Sequence, residues 1–274
     1  MPILFTLIIV YFANFLSKKF YFTCTDINLI SRFKSLDKND LLKLKLYLIP
    51  FSSIIFKKHL LVKEGKILFV SELLSIFTAF ILSLSFINIY IQNTEVQLWE
   101  ILLHFSFYFG VYILILYLAV YDIINFAVPV AVIKKGLFVI VLISLFITIA
   151  DFFSYRTTSE YIFELINIGN LSSLIGAFFL VALTWSVVKL TSEEGLGEGD
   201  IDVNMIIGLS IGWPLVVPFL LSTLILGSIV ALAFSYYLKK FRGVLIPFVP
   251  LILIGFTVAL GFGQNINDII FINY

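Results

Sequence analysis

The sequence predicts an all-α polytopic membrane protein of about eight transmembrane helices, with a small cytoplasmic loop or subdomain between the first and second. Three observations predict it. Hydrophobic residues make up 61% of the 274 positions before glycine is counted, against about 45–50% with glycine in soluble domains. Charged residues are only 13%, about half the usual share. Mean hydropathy is +1.10. These values exclude a soluble globular enzyme, a disordered chain and a nucleic-acid binder. A helical span needs about 20 apolar residues, so eight spans leave room for one sizeable loop.

The first apolar run, residues 2–16, is followed directly by Lys18 and Lys19 and has no basic stretch before it. That order is wrong for a cleaved signal peptide and right for a first span with its N-terminus outside. Residues 17–66 are mixed and basic, with apolar clusters such as Leu46-Tyr47-Leu48-Ile49-Pro50-Phe51. They read as a cytoplasmic subdomain, as interfacial amphipathic helices, or as a basic loop on anionic lipid. Residues 67–274 form the multi-span part, with apolar runs at about 67–91, 100–121, 131–150, 166–189, 201–212, 214–238 and 246–262. The short 201–212 run joins the next through Gly212-Trp213-Pro214, and reads as a short tilted span or a re-entrant piece.

The distribution of charge sets the orientation. With residues 17–66 inside, eight spans place seventeen of the eighteen basic residues on the cytoplasmic face, and only Arg156 outside. Basic residues favour that side. The absence of a convincing internal repeat weighs against an inverted-repeat transporter. Cys24 is the only cysteine, and the two histidines, His59 and His104, lie far apart. No metal site is expected from such a set.

Two aspartates stand out. Asp122 closes the third span, within Tyr121-Asp122-Ile123-Ile124-Asn125-Phe126-Ala127-Val128-Pro129, and Asp200 opens the sixth, within Gly195-Leu196-Gly197-Glu198-Gly199-Asp200-Ile201-Asp202. Both fall at the cytoplasmic ends of their spans. A carboxylate at that depth is costly and marks a functional site by default. Two carboxyls meeting in a low-dielectric pocket cannot both ionise easily, so they share a proton. That suits peptide hydrolysis: the ionised member takes a proton from water, and the protonated member polarises the scissile carbonyl. Gly197 and Gly199 are expected to permit unusual backbone angles and close approach of a substrate backbone. A lone G-x-G-D more often breaks one helix and caps the next; the pairing with Asp122 on one face is what points to chemistry.

Taken together, these residues resemble the type IV prepilin peptidases. Asp122 with Pro129 resembles the family's first catalytic motif. Gly195-Leu196-Gly197-Glu198-Gly199-Asp200 resembles its G-x-G-D motif, with Gly208 in the helix beyond. Ile246-Pro247-Phe248-Val249-Pro250 resembles its I-P-F-G-P segment. Ser71-Glu72-Leu73-Leu74-Ser75 resembles V-E-L-L-T, and Ala13-Asn14-Phe15-Leu16 resembles the end of the first span. The resemblance covers nearly the whole chain. It implies an aspartic endopeptidase of the cytoplasmic membrane that removes a short basic leader from prepilins or pilin-like secretion subunits, as in type IV pilus and type II secretion systems. Asp122 and Asp200 would be catalytic. Gly197, Gly199, Pro129 and Pro247 would line the active-site loops, and Tyr121, Asp202 and Glu72 would lie around them. Many members also methylate the new N-terminus with S-adenosylmethionine, which the resemblance leaves open here, because the four-cysteine zinc motif is missing from residues 17–66.

Asp202 stands where the family usually has Lys, and adds a carboxylate expected to raise the pKa of its neighbours or alter leader choice. Val249 replaces the usual Gly. Glu72 reads either as a snorkelling glutamate near the membrane surface or as a residue that supports the site or a methylation step. Tyr121 reads as a hydrogen-bond partner for a carboxyl or as an ordinary interfacial tyrosine. Two rival functions share the aspartate pair. One is a presenilin- or signal-peptide-peptidase-like protease, whose Pro-Ala-Leu is missing here. The other is a proton- or cation-coupled transporter.

Overall fold

The computed structural model describes residues 2–24, 64–92, 98–154, 171–191, 196–239 and 246–271. Among them the chain is all helical, in eight helices: α1 (Pro2–Cys24), α2 (Glu64–Gln92), α3 (Leu98–Asn125), α4 (Val130–Ser154), α5 (Leu171–Thr191), α6 (Glu198–Ile211), α7 (Val216–Leu238) and α8 (Val249–Phe271). Six of them, α1, α2, α3, α5, α7 and α8, are long and apolar enough to cross a membrane. The expected all-α polytopic class holds. Most of the basic segment expected at 17–66, residues 25–63, lies outside the described residues. The first helix continues past Leu16 to Cys24, so Lys18 belongs to it and not to a loop.

In a bilayer, lipid tails are as apolar as leucine, so helices associate by close packing and buried polar contacts. Both devices are present. α1 packs against α2 and α3, and α8 lies along α2, α3 and α7. Between α1 and α2, Lys18 forms an ion pair with Glu72, both side chains buried. Beside it the Ser17 hydroxyl donates to the Ser71 carbonyl at 3.0 Å. Between α2 and α3, Thr78 Oγ1 and the Tyr112 hydroxyl share a hydrogen bond at 3.0 Å. Tyr112, Ile115, Leu116 and Phe256 fill the centre, fully buried.

α6 is the exception to the long helices. Its 14 residues rise about 21 Å at 1.5 Å per residue, less than the ~30 Å hydrocarbon thickness. It packs most extensively against α5. The Trp213 N–H donates to the Ser172 carbonyl at 3.0 Å, so the turn after α6 docks at the start of α5. Gly212 makes that turn at φ +63°, a left-handed conformation that glycine adopts without cost. The 201–212 run is thus a short helix closed by a tight turn and braced on its neighbour. Because α6 and α5 run antiparallel, Asp200 sits at the end of the bundle where α5 finishes with Lys189 and Thr191.

Candidate active site

Asp122 lies in the last turn of α3. The helix is closed after it by Phe126, whose N–H donates to the Asp122 carbonyl at 2.8 Å. Phe126 has φ +51°, a region that costs a residue with a side chain roughly 1–2 kcal/mol. This sharp exit lets residues 127–129 turn at once into α4. The Pro129 carbonyl accepts from the Val132 N–H at 2.9 Å and the Ile133 N–H at 3.2 Å, so Pro129 opens α4.

Asp200 lies in the first turn of α6. Its carboxyl Oδ2 accepts from the Gly197 N–H at 3.0 Å, and its own N–H donates to the Gly197 carbonyl at 3.1 Å. This reciprocal pair caps the helix. A carboxylate is also favoured there by the partial positive charge of a helix N-terminus. Deeper along α6, Asn204 Nδ2 donates to Thr184 Oγ1 of α5 at 3.0 Å.

The third contributor is the start of α8. The Val249 N–H donates to Asp122 Oδ2 at 3.0 Å, across 127 positions of chain. Both aspartates are almost fully buried, at 6% and 7% exposure, and they stand close enough for their charges to interact. Helices α3, α6 and α8 meet at this point. The two motif loops also touch: a Cβ on Gly199 would lie 3.2 Å from Val128 Cβ. Burial pushes the Asp200 carboxyl up to about 6, against the opposite pull of the Gly197 N–H. The result is a pair of buried carboxyls, each held at Oδ2 by a backbone N–H.

Other expected residues fall less centrally. The backbone angles expected of the two glycines do not occur: Gly197 has φ −83° and ψ 161°, and Gly199 is helical. Gly199 serves the close approach of Val128. Gly197 is exposed, and a Cβ there would meet only its own helix's Asp200, at 3.9 Å. Asp202 is two positions beyond Asp200, about 200° round the helix. Tyr121 sets its ring beside Tyr117 at 6.4 Å, and among the described residues its hydroxyl bonds neither aspartate. Pro247 precedes α8 in a half-buried, non-helical segment. Glu72 does not snorkel; it is buried against Lys18.

Three features escaped the sequence reading. Lys18 counted there as one more basic loop residue. The Phe126 conformation has no sequence signal, since glycine is the residue expected at such a position. The Val249 amide is a backbone group, invisible to any reading of side-chain types.

Residues 108–232 match the family model of the type IV leader peptidases. This segment, a little under half of the chain, is similar to the type IV leader peptidase family. The matched segment holds Asp122, Pro129, the Gly197–Asp200 motif and Gly208, while α1, α2 and α8 lie wholly outside it. Searches of curated proteins and of solved structures return no match. The match and the long apolar helices together support a peptidase of the membrane, and the matched segment contains the paired carboxyls.

Proposed function

We propose that this protein is an aspartic endopeptidase that removes the short basic leader from prepilins or pilin-like secretion subunits. The observation that carries the reading is the meeting of two buried carboxyls, Asp122 and Asp200, within the family segment. With Oδ2 of each held by a backbone N–H, the pair is oriented to share water and substrate between them. One aspartate, ionised, takes a proton from a water whose oxygen attacks the scissile carbonyl carbon. The other, protonated, hydrogen-bonds the carbonyl oxygen and stabilises the tetrahedral diol. A proton then passes to the amide nitrogen, the C–N bond breaks, and the pair returns to one shared proton. The pair titrates as a unit, so the reaction does not require a fixed assignment of base and acid.

We place the site at the cytoplasmic face of the cytoplasmic membrane. Lys134 and Lys135 on α4 and Lys189 on α5 lie at the helix ends nearest the aspartates, and basic residues concentrate on the cytoplasmic side. The leader would be cut there, just before the substrate's apolar helix enters the bilayer. Methylation of the new N-terminus with S-adenosylmethionine is a second activity to test in the same assay.

The test uses purified protein in detergent with prepilin-like peptides that carry a basic leader, a glycine and an apolar helix. Products are read by mass spectrometry. Wild type is expected to cut at the leader junction. Asp122→Asn and Asp200→Asn are each expected to lose about 10²–10⁴-fold in rate while remaining folded. Unchanged cleavage by either variant would exclude the aspartate mechanism.

A further inference from the structure

The start of α8 can be accounted for donor by donor. The first N–H groups of a helix have no partner within it, and buried ones are almost always satisfied. In α8 the Leu251 and Ile252 N–H groups both donate to the Phe248 carbonyl, at 3.0 and 3.1 Å. Pro250 has no N–H to offer. That leaves Val249, and its N–H donates to Asp122 Oδ2 at 3.0 Å. The side chain that caps α8 is therefore an aspartate of α3, at the point where Asp200 of α6 also arrives. Neither Val249 nor Asp122 is free to drift, because Val249 is fully buried and Asp122 nearly so.

We infer that the backbone amide of Val249 is a positioning group for the reaction: it fixes Asp122 by Oδ2 and orients the carboxyl toward the bond to be cut. The inference rests on the proteolytic reading above. It gives Ile246-Pro247-Phe248-Val249-Pro250 a physical role. Pro250 withdraws a competing donor, and the segment turns the N–H groups of Val249 and, beside it, Phe248 to the carboxylate. It also explains why a valine serves at position 249, since the group in use is the backbone amide and not the side chain. Gly197 plays the same part for Asp200, so each carboxyl is held by backbone N–H at a helix start, and the two starts are different ones.

An amide-to-ester replacement at Val249, made by incorporating the α-hydroxy acid analogue of valine, removes this N–H and leaves the side chain in place. A hydrogen bond to a charged group lost in this way is expected to lower kcat about ten- to a hundred-fold, with KM within about twofold. Val249→Pro, which also lacks the N–H and suits the first turn of a helix, should follow it. Val249→Ala, which keeps the N–H, should cleave within about threefold of wild type. An ester variant with unchanged kcat would overturn the inference.

A second measurement needs no cleavage. In detergent, the ester should lower the melting temperature of wild type more than that of Asp122→Ala: the weakened Phe248 carbonyl costs the same in both, but the bond to Asp122 is already gone from the second. Equal losses in both backgrounds would show that the amide does not act through Asp122, and would overturn the inference. Failure of wild type to cleave any substrate would instead count against the proteolytic reading, with the melting comparison still deciding whether Val249 holds Asp122.

Discussion

The burial of Asp200 carries a cost. A carboxyl raised from 3.8 to about 6 by burial binds its proton more tightly in the folded protein than in the unfolded chain. Linkage then gives a stability that is highest below pH 3.8, falls as pH rises toward 6, and levels off above it. The difference between those limits is of the order of 3 kcal/mol. Asn at this position keeps an oxygen for the Gly197 N–H but never ionises. Asp200→Asn is therefore expected to melt higher than wild type at pH 7 and to lose that advantage by pH 4, even as it abolishes cleavage. Thermal unfolding in detergent across pH 4–8 checks this; an Asn variant less stable than wild type at pH 7 would contradict it. The two aspartates were legible in the sequence because a charge in an apolar chain announces itself. Their anchors were not, since Gly197 and Val249 act through N–H groups that every non-proline residue shares.

Helix α6 shows why a short element can hold a buried carboxyl still. It is too short to cross the membrane alone, yet it is fixed along its length. Asp200 caps its start, Asn204 bonds Thr184 one turn on, and Gly208 lies against α5 a further turn on. A Cβ on Gly208 would stand 2.6 Å from the Ala177 N and 2.8 Å from the Gly176 carbonyl carbon. Those atoms are backbone and cannot move aside, so Gly208→Ala must push α6 away from α5. The expected cost is about 1–3 kcal/mol, with a fall in cleavage because Asp200 rides on the same helix. Gly227 of α7 is the control: a Cβ there meets only Leu251 Cδ1, at 3.7 Å. Gly227→Ala should be neutral or gain up to about 1 kcal/mol from helix propensity. Melting temperature and kcat of both variants decide the matter; similar behaviour would mean that close packing is not what places α6. Run length and apolarity made the long helices readable in the sequence. The 201–212 run stayed ambiguous because its bracing lies in α5, and no property of the run itself reports a neighbour.

The assembly joins two parts that the family match separates. The matched segment, 108–232, supplies both aspartates, but the donor that holds Asp122 comes from α8, beyond it. α8 in turn packs on α2, and α2 is tied to α1 by the Lys18–Glu72 pair. Helices outside the match thus build the wall against which the Asp122 carboxyl is set. The sequence pointed to Glu72 but not to its partner, because Lys18 sits among basic residues that read as a cytoplasmic loop. A buried ion pair is weak evidence for stability, since both charges give up their solvation. Removing one partner nevertheless leaves the other unpaired in an apolar core, at a cost of about 3–5 kcal/mol. Lys18→Met is therefore expected to lower the melting temperature strongly, and Glu72→Leu likewise. The double variant, which replaces both charges with apolar side chains, should recover most of the loss. A double variant as unstable as either single one would show that packing around these positions, and not the charge, was lost. Recovered stability with cleavage still absent would give the Lys18–Glu72 pair a part in the reaction beyond joining α1 to α2, because the helices that carry the aspartates would then be intact without it.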